Sequence, residues 1–166
     1  MDSLTIRTLA KAALAIGAVA AVYQLAVSRW ANPIPDPRVI GAWLAVLLAG
    51  VALFQIAAAA GAPVGAYTQG GTHHGVLPRN QRIAAGVSAA FLVFVIVGTG
   101  ITEVRFPSSW TVWHSHTLLL LFWAYSAIGV VANAVSRSWR EALVWTPVTL
   151  VGFYLSLVLY GVPIAL

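Results

Sequence analysis

The chain contains no cysteine. Disulfides, thiolate nucleophiles and cysteine-ligated metals are therefore excluded from the start. Charge is nearly as scarce, at 8% of the 166 residues, where a soluble domain carries about 25%. Acids are scarcest of all: Asp2, Asp36, Glu103 and Glu141 are the complete set. None stands in the middle of an apolar run, so a proton-coupled transporter built on a membrane-embedded carboxylate lacks its central group. The one lysine, Lys11, is near the start of the chain, which excludes a retinal protein with a lysine inside its last span. All four histidines sit in connecting segments or at the ends of apolar runs, which argues against a transmembrane haem.

What the chain has in abundance is hydrocarbon. Sixty per cent of its residues are hydrophobic and its mean hydropathy is +0.88, so it cannot cover an aqueous surface. Five apolar segments are visible, at about 9–27, 39–60, 83–101, 117–135 and 143–166. Each is near the ~20 residues that cross a bilayer core as a helix. Backbone polar groups in hydrocarbon must be satisfied within the segment, which dictates helices. The expected fold is an all-α polytopic transmembrane bundle, a single domain over residues 1–166, with no room for a soluble catalytic domain. The first segment has a second reading. Arg7, Lys11, an alanine-rich stretch and Ala26-Val27-Ser28 also fit a signal peptide with a small-residue cleavage site.

The connections carry the remaining information. Asn32-Pro33-Ile34-Pro35-Asp36-Pro37 cannot be helical and makes a stiff first loop. Pro107-Ser108-Ser109 separates the third and fourth segments, and Ser136 to Arg140 forms a tight turn into the fifth. With the N-terminus inside, Arg7, Lys11, Arg79, Arg82, Arg137 and Arg140 lie on the cytoplasmic side, and Arg29, Arg38 and Arg105 lie outside. Six against three predicts a cytoplasmic N-terminus and an outer C-terminus. Trp30, Trp110, Trp113, Trp139 and Trp145 fall near the predicted interfaces, as an aromatic belt requires. The net charge of +5 is spread over helix ends, which suits anionic headgroups. Without a basic stripe interleaved with aromatics, no nucleic-acid partner is expected.

The longest connection, residues 61–79, holds five glycines and two prolines, a composition that specifies a backbone path. It contains no acid but carries His73 and His74, followed by Arg79 and Arg82. Backbone N–H groups, imidazoles and guanidiniums together suit an anionic headgroup or phosphate. No Gly-Lys-Ser/Thr follows, so this is not a P-loop. The plainer reading is a structured cap over the helix ends, with the two arginines setting topology. On the opposite side, His114, His116 and Glu103 make a weak two-His, one-carboxylate metal candidate, since zinc usually takes three or four ligands. Gln24, Gln55 and Asn133 are expected to bond across helices, and Ala13, Gly17 and Ala21, like Gly86 and Ala90, to form close-packing faces. Pro147 and Gly152 are expected to bend the fifth helix where a neighbour satisfies the freed carbonyl.

The run Gly61-Ala62-Pro63-x-Gly65, then Gly70-Gly71, Gly75-Val76-Leu77-Pro78, Arg82 and Val87-Ser88, together with Asn133-Ala134-x-Ser136-Arg137-Ser138, resembles a family of small bacterial multipass integral membrane proteins. The likeness covers roughly residues 55–140. It implies membership of a bacterial inner-membrane family whose members look like four-helix proteins of similar length, and implies no activity. The N-terminal segment and proline-rich loop depart from that pattern.

The expected function is that of a non-enzymatic accessory or lipid-interacting membrane component, because no Ser/His/acid grouping is visible on one face. No cofactor is expected. The partners expected are the bilayer, anionic headgroups, and a second copy or another membrane protein. Two alternatives stand beside it: a small membrane enzyme acting on a lipid or isoprenoid through His73, His74 and Arg79, and a small transporter or channel.

Overall fold

The computed structural model describes the backbone of residues 3–29, 37–105 and 109–160, and the side chains of 4–28, 38–98 and 117–160. Within those bounds the chain is all helix apart from its connections. The elements are α1 (Ser3–Arg29), α2 (Pro37–Ala60), α3 (Arg79–Arg105), α4 (Ser109–Ala134) and α5 (Trp139–Tyr160), with 3-10 turns at Gly65–Tyr67 and Gln69–Gly71. All five α-helices are long and apolar enough to cross a membrane. At ~1.5 Å rise per residue, even the 22 residues of α5 exceed a hydrocarbon core of about 30 Å.

The helices overrun the apolar segments at most ends. α3 begins at Arg79 rather than 83, and α4 at Ser109 rather than 117. Helix ends at a membrane surface continue into the headgroup layer, where polar and charged residues remain helical, so hydropathy marks the hydrocarbon portion alone. The proline-rich first loop and residues 106–108 lie outside the described residues.

Helices α2 to α5 form the packed unit, through the pairs α2–α3, α4–α5, α2–α5 and α3–α4, and α1 lies against α4 and α5. One apolar cluster joins Leu44, Leu48 and Ala52 of α2 to Leu92 and Val95 of α3 and to Leu119 and Phe122 of α4. A second joins Ala26 of α1 and Ile40 of α2 to Phe153, Leu157 and Val158 of α5. Small residues admit these contacts. A Cβ on Gly152 would meet Phe122 and Leu47 at 3.4 and 3.6 Å, and one on Gly86 would meet the Ala59 Cβ at 3.8 Å. The outer surface carries Trp43, Leu53, Phe94 and Ile128, all 60% or more exposed. Large apolar groups thus cover the outside as well as the core, an arrangement that suits a lipid surround better than water.

The sequence expectations for packing are met unevenly. Ala13, Gly17 and Ala21 face outward, and nothing lies within 4 Å of a Cβ on Gly17. Gln55 Oε1 is buried without a hydrogen-bond partner, as are Trp123 Nε1 and Thr146 Oγ1. Pro147 sits inside a continuous α5, and just before it the Trp145 and Thr146 carbonyls accept from the Thr149 hydroxyl at 2.7 and 3.1 Å.

Candidate functional site

The end of the bundle that carries the 61–78 connection and the 135–138 turn is built residue by residue. α2 stops at Ala60 because Gly61 adopts φ +101, a left-handed conformation that a side chain disfavours. Two reversed hydrogen bonds close this terminus, Gly61 N–H to Ala58 O at 3.2 Å and Ala62 N–H to Ala57 O at 2.9 Å, the pairing of a Schellman cap. A third terminal carbonyl, Ala59 O, accepts from Arg82 Nε at 2.8 Å. Arg82 thus places its positive charge on the negative end of the α2 dipole.

The connection then folds back on itself. Gly65 N–H donates to Gly75 O at 3.0 Å, and any Cβ on Gly65 would collide with the His73 carbonyl. Gln69, Gly70 and Gly71 follow one another at φ +55, +77 and +62. Three successive left-handed residues turn the chain sharply toward α5, and a Cβ on Gly71 would strike Ser138. Ala58, Leu77 and Ala85 close an apolar base beneath the connection.

α5 supplies the latch. Ser138 is its N-cap: the hydroxyl accepts from Glu141 N–H at 3.3 Å and donates to Ala66 O, in the connection, at 2.7 Å. In a capping box the glutamate three residues on would return to the N-cap amide. Here that amide goes to Ser136 Oγ at 3.1 Å, and Glu141 turns to the connection instead. Its Oε2 accepts from Gly70 N–H at 2.9 Å and from the Ser136 hydroxyl in a short bond. Glu141 is buried, and it is the single carboxylate among the described side chains. One turn further along, Trp145 Nε1 donates to Tyr67 O at 2.6 Å, while its ring packs on Phe54 with centroids 4.6 Å apart. Three hydrogen bonds from α5 and its N-cap thus hold a segment about 70 residues away in sequence.

Between the connection and the 137–140 turn lies a cleft of about 500 Å³, with His74, Thr72 and Gly71 on one wall and Arg137, Trp139 and Arg140 on the other. The Arg140 guanidinium stands 5.9 Å from the Tyr67 ring centre and 5.8 Å from that of Trp139. Such cation–π contacts orient a cation without neutralising it.

The predicted site residues separate here. His73 and His74 are both exposed, and His73 Nδ1 lies 3.0 Å from Thr72 Oγ1. His74 reaches the cleft. Arg79 is exposed at the start of α3 outside that lining, and Arg82 is engaged at the end of α2. The residues that complete the site are Arg137, Arg140, Ser138 and Glu141. The signal for the last two was present as Ser138-x-x-Glu141 before an apolar run, a capping-box pattern.

Folding also gathers Ser138, His74 and Glu141 at one end of the bundle, a grouping the linear chain does not display. Their bonds are structural: Ser138 and Glu141 engage the connection, and among the described residues none joins His74 to either. No group of three His, Asp or Glu side chains that could hold a metal occurs among the described residues. The side chains of Glu103, His114 and His116 lie outside them, although their backbone belongs to α3 and α4.

The chain matches no protein-family model, and no curated protein or solved structure matches it.

Proposed function

We propose that this chain is a non-enzymatic, lipid-interacting multipass protein of a bacterial inner membrane, with its capped end in the cytoplasm. The supporting observation is the basic character of that end. Arg79, Arg82, Arg137 and Arg140 lie at that end with His73 and His74, and the one carboxylate among the described side chains, Glu141, is buried there. The α1 amino terminus, with Arg7 and Lys11, belongs to the same side if successive helices alternate in direction. That asymmetry is what the positive-inside rule reads, and a basic cytoplasmic face attracts anionic lipid. The family resemblance of the glycine-rich connection points to the same membrane.

The non-enzymatic part of the reading rests on how the polar groups are used. The serines and the glutamate nearest the cleft are spent on holding the connection to α5. Among the described side chains, the charged groups of the helices lie in the first two turns, apart from exposed Lys11, which can extend to the interface. No charged path through the bundle is present among the described residues.

The absence of cysteine makes orientation directly testable. A single cysteine at Thr72, exposed in the connection, should react with a membrane-impermeant maleimide only after cells are opened. One at Ser108, between α3 and α4 in sequence, should react in intact spheroplasts. The reverse pattern would overturn the proposed orientation. Lipid extraction after purification in mild detergent tests the second half: anionic lipid should be enriched over its share of the membrane, and bulk composition would count against the reading.

A further inference from the structure

We propose that the cleft between the glycine-rich connection and the α4–α5 turn binds one phosphate group of an anionic lipid, held by Arg137, Arg140 and His74. This rests on the lipid-interacting reading above and deepens it by naming the site and the recognised chemistry.

Four observations converge. The first is volume: about 500 Å³ accommodates a headgroup, within the range of small-ligand sites at ~300–1,000 Å³. The second is charge. Two guanidiniums and an imidazole line the space, and no carboxylate does. The carboxylate behind it, Glu141, is buried and accepts from Gly70 N–H and the Ser136 hydroxyl. Cations lining a cleft with the local anion withdrawn raise the concentration of an incoming anion.

The third is preorganisation. The Arg140 guanidinium carbon stands 5.9 and 5.8 Å from the Tyr67 and Trp139 ring centres. Cation–π contacts of this kind hold the cation in place and use none of its N–H donors on an acid, which leaves a fork for a phosphate. The α5 amino terminus opens beside the same space, adding the positive end of a 22-residue helix to the field.

The fourth observation selects a lipid over a free phosphate. From the cleft a ridge of exposed apolar side chains runs along α5 at four-residue spacing: Trp139, Leu143, Pro147 and Val151. Trp139 and Leu143 are 68% and 66% exposed. A ligand with its phosphate between Arg137 and Arg140 can lay an acyl chain along that ridge. A soluble phosphate ester has no use for it.

The test uses the full chain in nanodiscs of phosphatidylcholine doped with phosphatidylglycerol, with bound lipid read by native mass spectrometry. Wild type should retain phosphatidylglycerol about tenfold over phosphatidylcholine, and Arg137→Gln with Arg140→Gln should abolish that preference. Arg7→Gln with Arg79→Gln, an equal charge loss outside the cleft, should keep it within about twofold. Equal loss in both variants would overturn the cleft and leave the lipid-interacting reading standing as diffuse attraction. No preference in wild type would overturn both. Displacement of phosphatidylglycerol by equimolar glycerol 3-phosphate would overturn the lipid origin. Where the double variant melts early, His74→Gln carries the test, because that exposed side chain has no hydrogen bond among the described residues. Retention equal to wild type in His74→Gln would remove His74 from the site and overturn the proposal as stated.

Discussion

Glu141 is the residue on which the capped end turns. Its carboxylate satisfies a backbone N–H contributed from the other side of the connection, and hydrogen bonds to a charged group contribute about 1.5–3 kcal/mol. Glu141→Ala should therefore destabilise this end by roughly that amount, while the helices persist. Hydrogen–deuterium exchange at Gly70 is the direct reading. Protection there should fall sharply in the variant, and unchanged protection would show that the latch carries no load. Glycines offer a graded companion series. Gly71→Ala combines φ +62 with a collision at Ser138, whereas a Cβ on Gly75 meets nothing within 4 Å. The first should lower the melting temperature in detergent, by the equivalent of more than ~1 kcal/mol, and the second should change stability by less than about 0.5 kcal/mol. Similar losses at both positions would contradict the described backbone.

The connection and α5 behave at the element scale as one unit. Trp145 bonds Tyr67 O and packs against Phe54 of α2, so it fastens the connection and the helix pair together. Trp145→Phe keeps a ring near Phe54 and loses the bond, which predicts a cost of about 1 kcal/mol and faster proteolysis within residues 61–78. If cleavage there is no faster than in wild type, the connection is held by its other contacts alone. The outward ridge of α1 is a second element with a definite expectation. Nothing opposes a Cβ at Gly17, so Gly17→Ala should stabilise the helix by about 0.5–1 kcal/mol. Destabilisation instead would mean that this small-residue face packs closely against a second copy or another membrane protein.

For the whole molecule, the governing asymmetry is between its two ends. The capped end joins the helix termini through side-chain bonds that span the chain from residue 66 to residue 141. The bundle itself is held by apolar contacts among α2, α3, α4 and α5. Ion attraction to the membrane is screened with a Debye length of about 10 Å at 0.1 M salt. Enrichment of anionic lipid around the protein should therefore fall as salt rises, while the melting temperature in neutral detergent should change little. A stability that collapsed in high salt would place charge pairs inside the fold, against the apolar bundle described above.

Much of this architecture was legible in composition and periodicity. Long apolar runs with few charges admit only helices in hydrocarbon, because the backbone must satisfy itself locally, and five such runs yield five helices. Alternation of direction along the chain placed the 61–78 connection and the 135–138 turn at one end, and the structure joins them there. Site membership was less legible. Arg79 and Arg82 were candidates by proximity to His73 and His74, yet Arg82 bonds the end of α2 and Arg79 lies outside the cleft. Arg137, Arg140 and Glu141 enter because three left-handed residues redirect the connection toward α5. The sequence by itself determined the solvent, the helix count and which segments share an end, since these follow from local hydrogen bonding and transfer free energy. Which arginine lines the cleft and which caps a helix was decided by tertiary structure alone. Those choices depend on contacts between residues about 70 positions apart, where spacing along the chain carries no information.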